Sequence, residues 1–222
     1  LGIEVIAYTA SIGDIVIDYD RFNMVEASNN ALYMPDAEAA SKASELLTNQ
    51  MKAQDSVGGT VECIIKHVPA GIGEPVFDKL DANLAKAMFS IGAVKGFEIG
   101  DGFAAARSFG SENNDAFVLD ENHHITKATN HAGGILGGMS DGSDIYMRVA
   151  FKPTPSIAKM QQTVNKSGEA IDISIKGRHD PIIVPRAVVV VEAMAALTVL
   201  DLVMANMTAR VEHLEKIYKP EI

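Results

Sequence analysis

The 222-residue chain has one cysteine, no tryptophan and no surplus of positive charge. A single thiol, Cys63, permits no internal disulfide, and so sparse a use of cysteine points to the cytoplasm. Cys63 sits in an alternating stretch and reads as a small core residue rather than a nucleophile. A net charge of -10 and a pI near 5.0 argue against nucleic acid as the main partner. They leave room for an anionic small molecule wherever Lys and Arg cluster locally. The chain opens Leu1-Gly2-Ile3-Glu4, with neither a basic leader nor an initiator Met, so no signal peptide is expected and the natural beginning is expected to lie elsewhere. Its one apolar run of membrane length, 187–205, is broken by Glu192 and Asp201. Each acid would cost about 3 kcal/mol at a bilayer centre, so the run reads as a buried helix and not a span. No dinucleotide fingerprint or phosphate-binding Walker pattern is found.

What is present suits a sizeable core, with 47% hydrophobic residues. Residues 3–8 read as a strand. Asp36 is placed to cap a helix whose apolar face carries Ala40, Ala43, Leu47 and Met51. Val61, Cys63 and Ile65 alternate along a strand that ends at His67, a lone histidine with a structural reading. A helix is predicted from Glu74-Pro75, with Pro at its favoured first position and Phe77, Leu80, Leu84, Ala87, Met88 and Ile91 as its stripe. Residues 93–99 form a short strand. The polar stretch 103–129 reads as a mobile surface loop, and the adjacent His123 and His124 point apart, which disfavours a metal site. Ile145, Met147, Val149 and Phe151 alternate along another strand. Ile171, Ile173 and Ile175 predict a half-buried strand, and the helix that follows Pro185 is apolar on every side until about residue 205, as expected of a helix enclosed by other elements or by a partner subunit.

Three loops at strand ends carry candidate chemistry. In residues 130–138 four glycines within six positions allow positive φ and close backbone approach to a ligand. Lys152-Pro153-Thr154-Pro155-Ser156 offers a cation, hydroxyls and amides on a stiffened backbone, suited to a phosphate or a flavin edge, and equally to an ordinary turn. Gly177-Arg178-His179-Asp180-Pro181 places Asp180 as a candidate base with Arg178 as its charge partner, or as an ion pair that only fixes the turn. Together they suit a pocket for an anionic ligand.

Gly-Arg-His-Asp-Pro, followed by Val184-Pro185-Arg186-Ala187 and Glu192-Ala193-Met194, resembles the C-terminal signature of the chorismate synthase family. Residues 73–78, 93–96, 99–103, 130–138 and 151–157 are similar to that family in the same order. The resemblance implies an α+β fold in which a helix layer is sandwiched between β-sheets, with residues 1–222 as the C-terminal portion of a single domain. It implies a cytoplasmic homotetramer that neither binds nucleic acid nor enters a membrane. The implied activity is a lyase of the shikimate pathway leading to aromatic amino acids. It converts 5-enolpyruvylshikimate 3-phosphate to chorismate and phosphate by a trans-1,4 elimination that needs reduced FMN. Asp180 matches the aspartate that removes the ring proton near the flavin, and Arg178 an arginine at substrate and flavin. Gly92, Ala93, Gly137, Lys152, Pro153, Thr154, Pro155, Ser156 and Arg178 match flavin-contacting positions. No NADP-binding motif that would serve to reduce the flavin is visible. The family's N-terminal part, with its catalytic histidines and substrate arginines, has no counterpart here, so the 222 residues alone are expected to be inactive. The competing readings are a non-catalytic flavin- or phosphate-binding module and an element of oligomer assembly.

Overall fold

The structure is a computed structural model and describes residues 1–177 and 179–219. Its centre is an antiparallel sheet built from β1 (Glu4–Ile12), β2 (Ile15–Val16), β3 (Gly59–Lys66), β4 (Val94–Ile99) and β5 (Ile145–Phe151), in the order β2-β1-β3-β5-β4. Period-two burial explains the strands. Val61, Cys63 and Ile65 of β3 and Ile145, Met147, Val149 and Phe151 of β5 all point to one face. That face is covered by α2 (Leu80–Phe89) and α3 (Val184–Asn206).

On the other face, α1 (Ala37–Lys52) packs Ala39, Ala40, Ala43 and Leu47 around Tyr8, Ile12 and Met34. Asp36 caps it, accepting from the N–H groups of Glu38 and Ala39 at 3.0 and 3.2 Å. Beside α1 that face carries a polar knot. The buried carboxylate of Glu62 accepts from Tyr8 Oη (3.0 Å), Tyr19 Oη (2.6 Å) and Arg148 Nε (2.8 Å). The fold is therefore α+β, with helices on both faces of one large sheet.

α3 is long and apolar enough to cross a membrane by length and composition. One face of it buries Val184, Val188, Val191, Ala195, Val199 and Leu202 against the sheet, and Glu192 accepts the N–H of Ala7 at 3.1 Å. That N–H lies on the outer side of β1, where β2 no longer reaches, so the helix carboxylate closes an open strand edge. The opposite face, with Val189, Val190, Leu197, Leu200 and Met204, is exposed. The helix is enclosed on one side only.

Three expectations are corrected. The second helix begins at Leu80, not at Pro75: Glu74 N–H donates to Asp78 O at 2.9 Å in a tight loop, and Phe77 is 91% exposed rather than part of the stripe. Ala170–Ile173 is a strand, but it pairs only with Gln161–Val164 in a projecting hairpin. Among the described residues no layer covers it, so Ile171 and Ile173 stay exposed and the half-buried pattern has no core beneath it. Residues 103–129 are not a loose loop, because Phe117–Leu119 pairs with Ile125–Lys127. The buried Lys127 ammonium joins Asp141 (2.7 Å) and Asp115 (3.5 Å), which pins that hairpin to the glycine-rich segment.

Candidate functional site

The strands set two ends of the molecule. At one end β5 runs out at Phe151, opposite Gly59 and Val94. Here Lys152 N–H donates to Ala93 O at 3.0 Å, which brings the Lys152–Ser156 turn against Gly92-Ala93. Ser56 Oγ donates to Thr154 O (2.6 Å), and Val57 N–H donates to Pro181 O (2.9 Å). The segment after α1 thus ties the 152–156 turn to the Asp180 loop. Lys159 pairs with Asp55 at 2.7 Å and completes that brace.

Asp180 lies just before α3. Both its oxygens are held by Arg186, Oδ2 by Nη1 at 2.8 Å and Oδ1 by Nη2 at 2.9 Å. Residue spacing explains the fork: Pro185 opens the helix, and Arg186 in its first turn reaches back over the loop. Sequence reading had given Asp180 the partner Arg178, which lies outside the described residues. Arg186 was missed, although it stands inside the signature Val-Pro-Arg-Ala. A carboxylate six residues ahead of an arginine across a proline turn was the available signal. His179 Nε2 meets Ile175 O at 2.7 Å, which fixes its tautomer with the proton on Nε2. Two cavities flank this loop. One of about 250 Å³ is lined by Met51, Asp55, Ile157, His179 and Pro181, and the other of about 430 Å³ by Leu32, Tyr33, Ile182, Pro185, Arg186 and Val189.

Gly137 sits at the far end. Leu80 N–H, which opens α2, donates to Gly138 O at 2.8 Å, while Gly92 follows the other end of the same helix. The ten residues of α2 separate them by about 15 Å. Asp115 organises the glycine-rich segment by accepting from the N–H groups of His131 (2.7 Å) and Ala132 (3.0 Å), and from Thr129 Oγ1 (2.7 Å). His131 Nδ1 meets Asp101 Oδ2 at 2.7 Å. Gly100 and Gly133, both at positive φ, pack backbone to backbone, and a Cβ on Gly100 would collide with the carbonyl of His131.

The residues present fit a flavin nucleotide in two respects. Beyond its chain neighbours, a Cβ built on Gly92 or on Gly137 meets no atom of the described residues within 4 Å, so the backbone there is open to a ligand. The exposed Lys152 has no ion-pair partner among the described residues and can oppose a phosphate. Gly92-Ala93, Lys152–Ser156 and the Asp180 loop come together at one end. Gly137 does not join them.

A family model described as chorismate synthase matches residues 1–204. A chorismate synthase from Lachnoclostridium phytofermentans is 64% identical over 219 residues, which are 99% of this chain and 60% of that protein. One from Agathobacter rectalis is 60% identical over 219 residues, or 99% of this chain and 59% of that protein. A crystal structure of a chorismate synthase aligns with a TM-score of 0.75 at 29% identity, covering 98% of this chain and 62% of that chain. The chain thus spans about 60% of the length of the curated relatives it matches.

Proposed function

The chain belongs to the chorismate synthase family, and on that premise we propose that it supplies the Asp180 end of an active site that eliminates phosphate from 5-enolpyruvylshikimate 3-phosphate to give chorismate. The observation that carries the reading is the placement of Asp180. It stands just before a long helix, forked by Arg186, beside a turn whose lysine has no ion-pair partner among the described residues. Asp180 takes the ring proton that must leave as the new double bond forms. Arg186 grips both carboxylate oxygens and holds them aimed until the substrate arrives.

Reduced FMN, when bound, supplies electron density as phosphate departs and recovers it as the proton is lost, without net redox change. Lys152 and the 154–156 hydroxyls would hold its phosphate, and the open backbone at Gly92 would admit its edge. Gly137, about 15 Å away along α2, would meet the opposite end of an extended ligand or one held with a second subunit. The uncovered apolar face of α3 supports burial against further protein, so a cytoplasmic homotetramer is the assembly proposed.

Phosphate release with reduced FMN and the enolpyruvyl substrate tests the reading. The chain is predicted to be silent alone and active once the remaining length of its relatives is supplied. Silence in both cases, with the assembled protein folded, would overturn it.

A further inference from the structure

Tyr33 is held in an unusual place. Its backbone is left-handed, with φ of 52°, a conformation that L side chains other than Asn and Asp rarely take. Asn30 enforces it. The Asn30 amide donates to Glu26 O (2.6 Å) and Met34 O (2.9 Å), and its oxygen accepts from the N–H groups of Leu32 (3.1 Å) and Met34 (3.3 Å). Tyr33 O then accepts from Thr9 N–H at 2.9 Å, which anchors the turn to β1. The same bonds seat Leu32 and Met34 in the core, but the Tyr33 side chain does not follow them there. Leu32 and Met34 pack into the α1 cluster, whereas Tyr33 belongs to neither core cluster and remains 42% exposed.

Tyr33 instead lines the 430 Å³ cavity beside the Asp180–Arg186 pair, together with the apolar Ile182, Pro185 and Val189. Arg186, which lines the cavity, spends two of its five guanidinium N–H groups on Asp180, and the other three have no partner among the described residues. An aromatic face, an aliphatic face and an unspent cation suit a flat ring with an anionic edge. Backbone strain held in place by its surroundings is also commoner at binding sites than elsewhere.

We infer that Tyr33 is a ligand-binding residue whose ring forms one wall of a slot for a planar anionic ring, the flavin ring system, with the anionic edge toward Arg186. This rests on the flavin reading above. The test is titration of the 222-residue protein with FMN, followed by quenching of flavin fluorescence, in parallel with thermal unfolding of each variant. Tyr33→Phe keeps the ring and should bind within about twofold of the parent. Tyr33→Gly loses the ring but relaxes the left-handed backbone. It should weaken FMN at least about tenfold while raising the melting temperature, a combination that a merely structural tyrosine would not give. If Tyr33→Gly binds FMN like the parent, the Tyr33 assignment fails and the flavin reading survives. If the parent itself shows no FMN binding, the flavin reading for this end of the chain fails and takes the slot with it.

Discussion

Arg186 reaches across the turn at Pro185 to take both carboxylate oxygens of Asp180, at 2.8 and 2.9 Å. The pair is solvent-accessible, so as a surface ion pair it would contribute only about 0–1 kcal/mol to stability. Its value lies in aiming the carboxylate. Asp180→Asn preserves shape but cannot accept a proton. In a protein carrying the full family length, turnover should fall by about 10²–10⁴ while FMN binding persists, since general-base catalysis is worth about that much. Phosphate release and flavin titration on the same preparation check it, and near-parental turnover would remove Asp180 from the chemistry.

Asp36 should govern stability at acid pH. Its buried carboxylate meets Arg21 twice, at 2.8 and 3.2 Å, and the N–H of Asp18 at 3.0 Å, besides capping α1. Burial alone would raise its pKa, but Arg21 and the backbone donors win and hold the carboxyl well below the usual carboxylate range. A depressed folded pKa contributes stability above the ordinary value near 4, and that stability is lost as pH falls below it. Asp36→Ala should cost about 2–4 kcal/mol near neutrality and flatten the acid limb of the stability curve. Urea midpoints measured between neutral and acid pH decide the matter.

The sequence made the Asp36 cap and most of the sheet legible, because both depend on local pattern: a capping residue before an apolar stripe, and alternation with period two. β5 appears where Ile145, Met147, Val149 and Phe151 alternate. What local pattern could not reveal was whether anything lies beneath an apolar face. Ile171 and Ile173 alternate as cleanly as β5 and remain exposed, since burial depends on a second layer that the described residues do not provide. The Glu62 knot was illegible for a related reason, whereas the Arg186 fork had a local signal that was overlooked. Tyr8, Glu62 and Arg148 are far apart in sequence and become neighbours only through the β1-β3-β5 register. The candidate site was half legible: its loops were identified, but not the distance between Gly137 and the rest.

The Glu62 knot should be visible in a tyrosine titration. Burial first, and then the Glu62 carboxylate, push the hydroxyls of Tyr8, Tyr19 and Tyr146 upward from their ordinary value near 10. A raised folded pKa means that the neutral form is favoured in the fold. The associated stability is complete below about pH 10 and falls as pH rises beyond it. Three of the five tyrosines should therefore resist ionisation until the protein unfolds in alkali, as followed by ultraviolet absorbance. Glu62→Gln removes the neighbouring charge and should bring the three closer to ordinary behaviour. If all five ionise together near pH 10 in the folded protein, the knot is not formed in solution.

Cys63 should be inert until the protein opens. Burial, with a smaller contribution from the Glu192 carboxylate, pushes its thiol up to about 12, so almost no thiolate exists at neutral pH. A disulfide reagent added to native protein should leave it unmodified, and one thiol per chain should appear on denaturation. Rapid labelling under native conditions would mean that the β3 region opens readily, contrary to its central position between β1 and β5.

The uncovered face of α3 gives the last prediction. Leu197 is 61% exposed and Leu200 46%, on the side of the helix away from the sheet. Val189, Val190 and Met204 lengthen the same apolar stripe, and Leu200 also lines the groove shared with Leu1, Ile3 and Val5. An exposed stripe of this kind drives association, because each large apolar side chain removed from water is worth about 1.5–3 kcal/mol. Leu197→Glu combined with Leu200→Glu should therefore shift the protein toward monomer in sedimentation velocity and raise its solubility. Unfolding free energy should change by less than about 1 kcal/mol, since neither side chain fills the core. Val191→Ala, on the buried face of the same helix, should do the reverse: no change in association, but a loss of about 1–2 kcal/mol through the cavity it leaves. If the double glutamate variant unfolds like a core mutant, the face taken as open is covered within the chain itself, and the association it was expected to drive has no surface to act through.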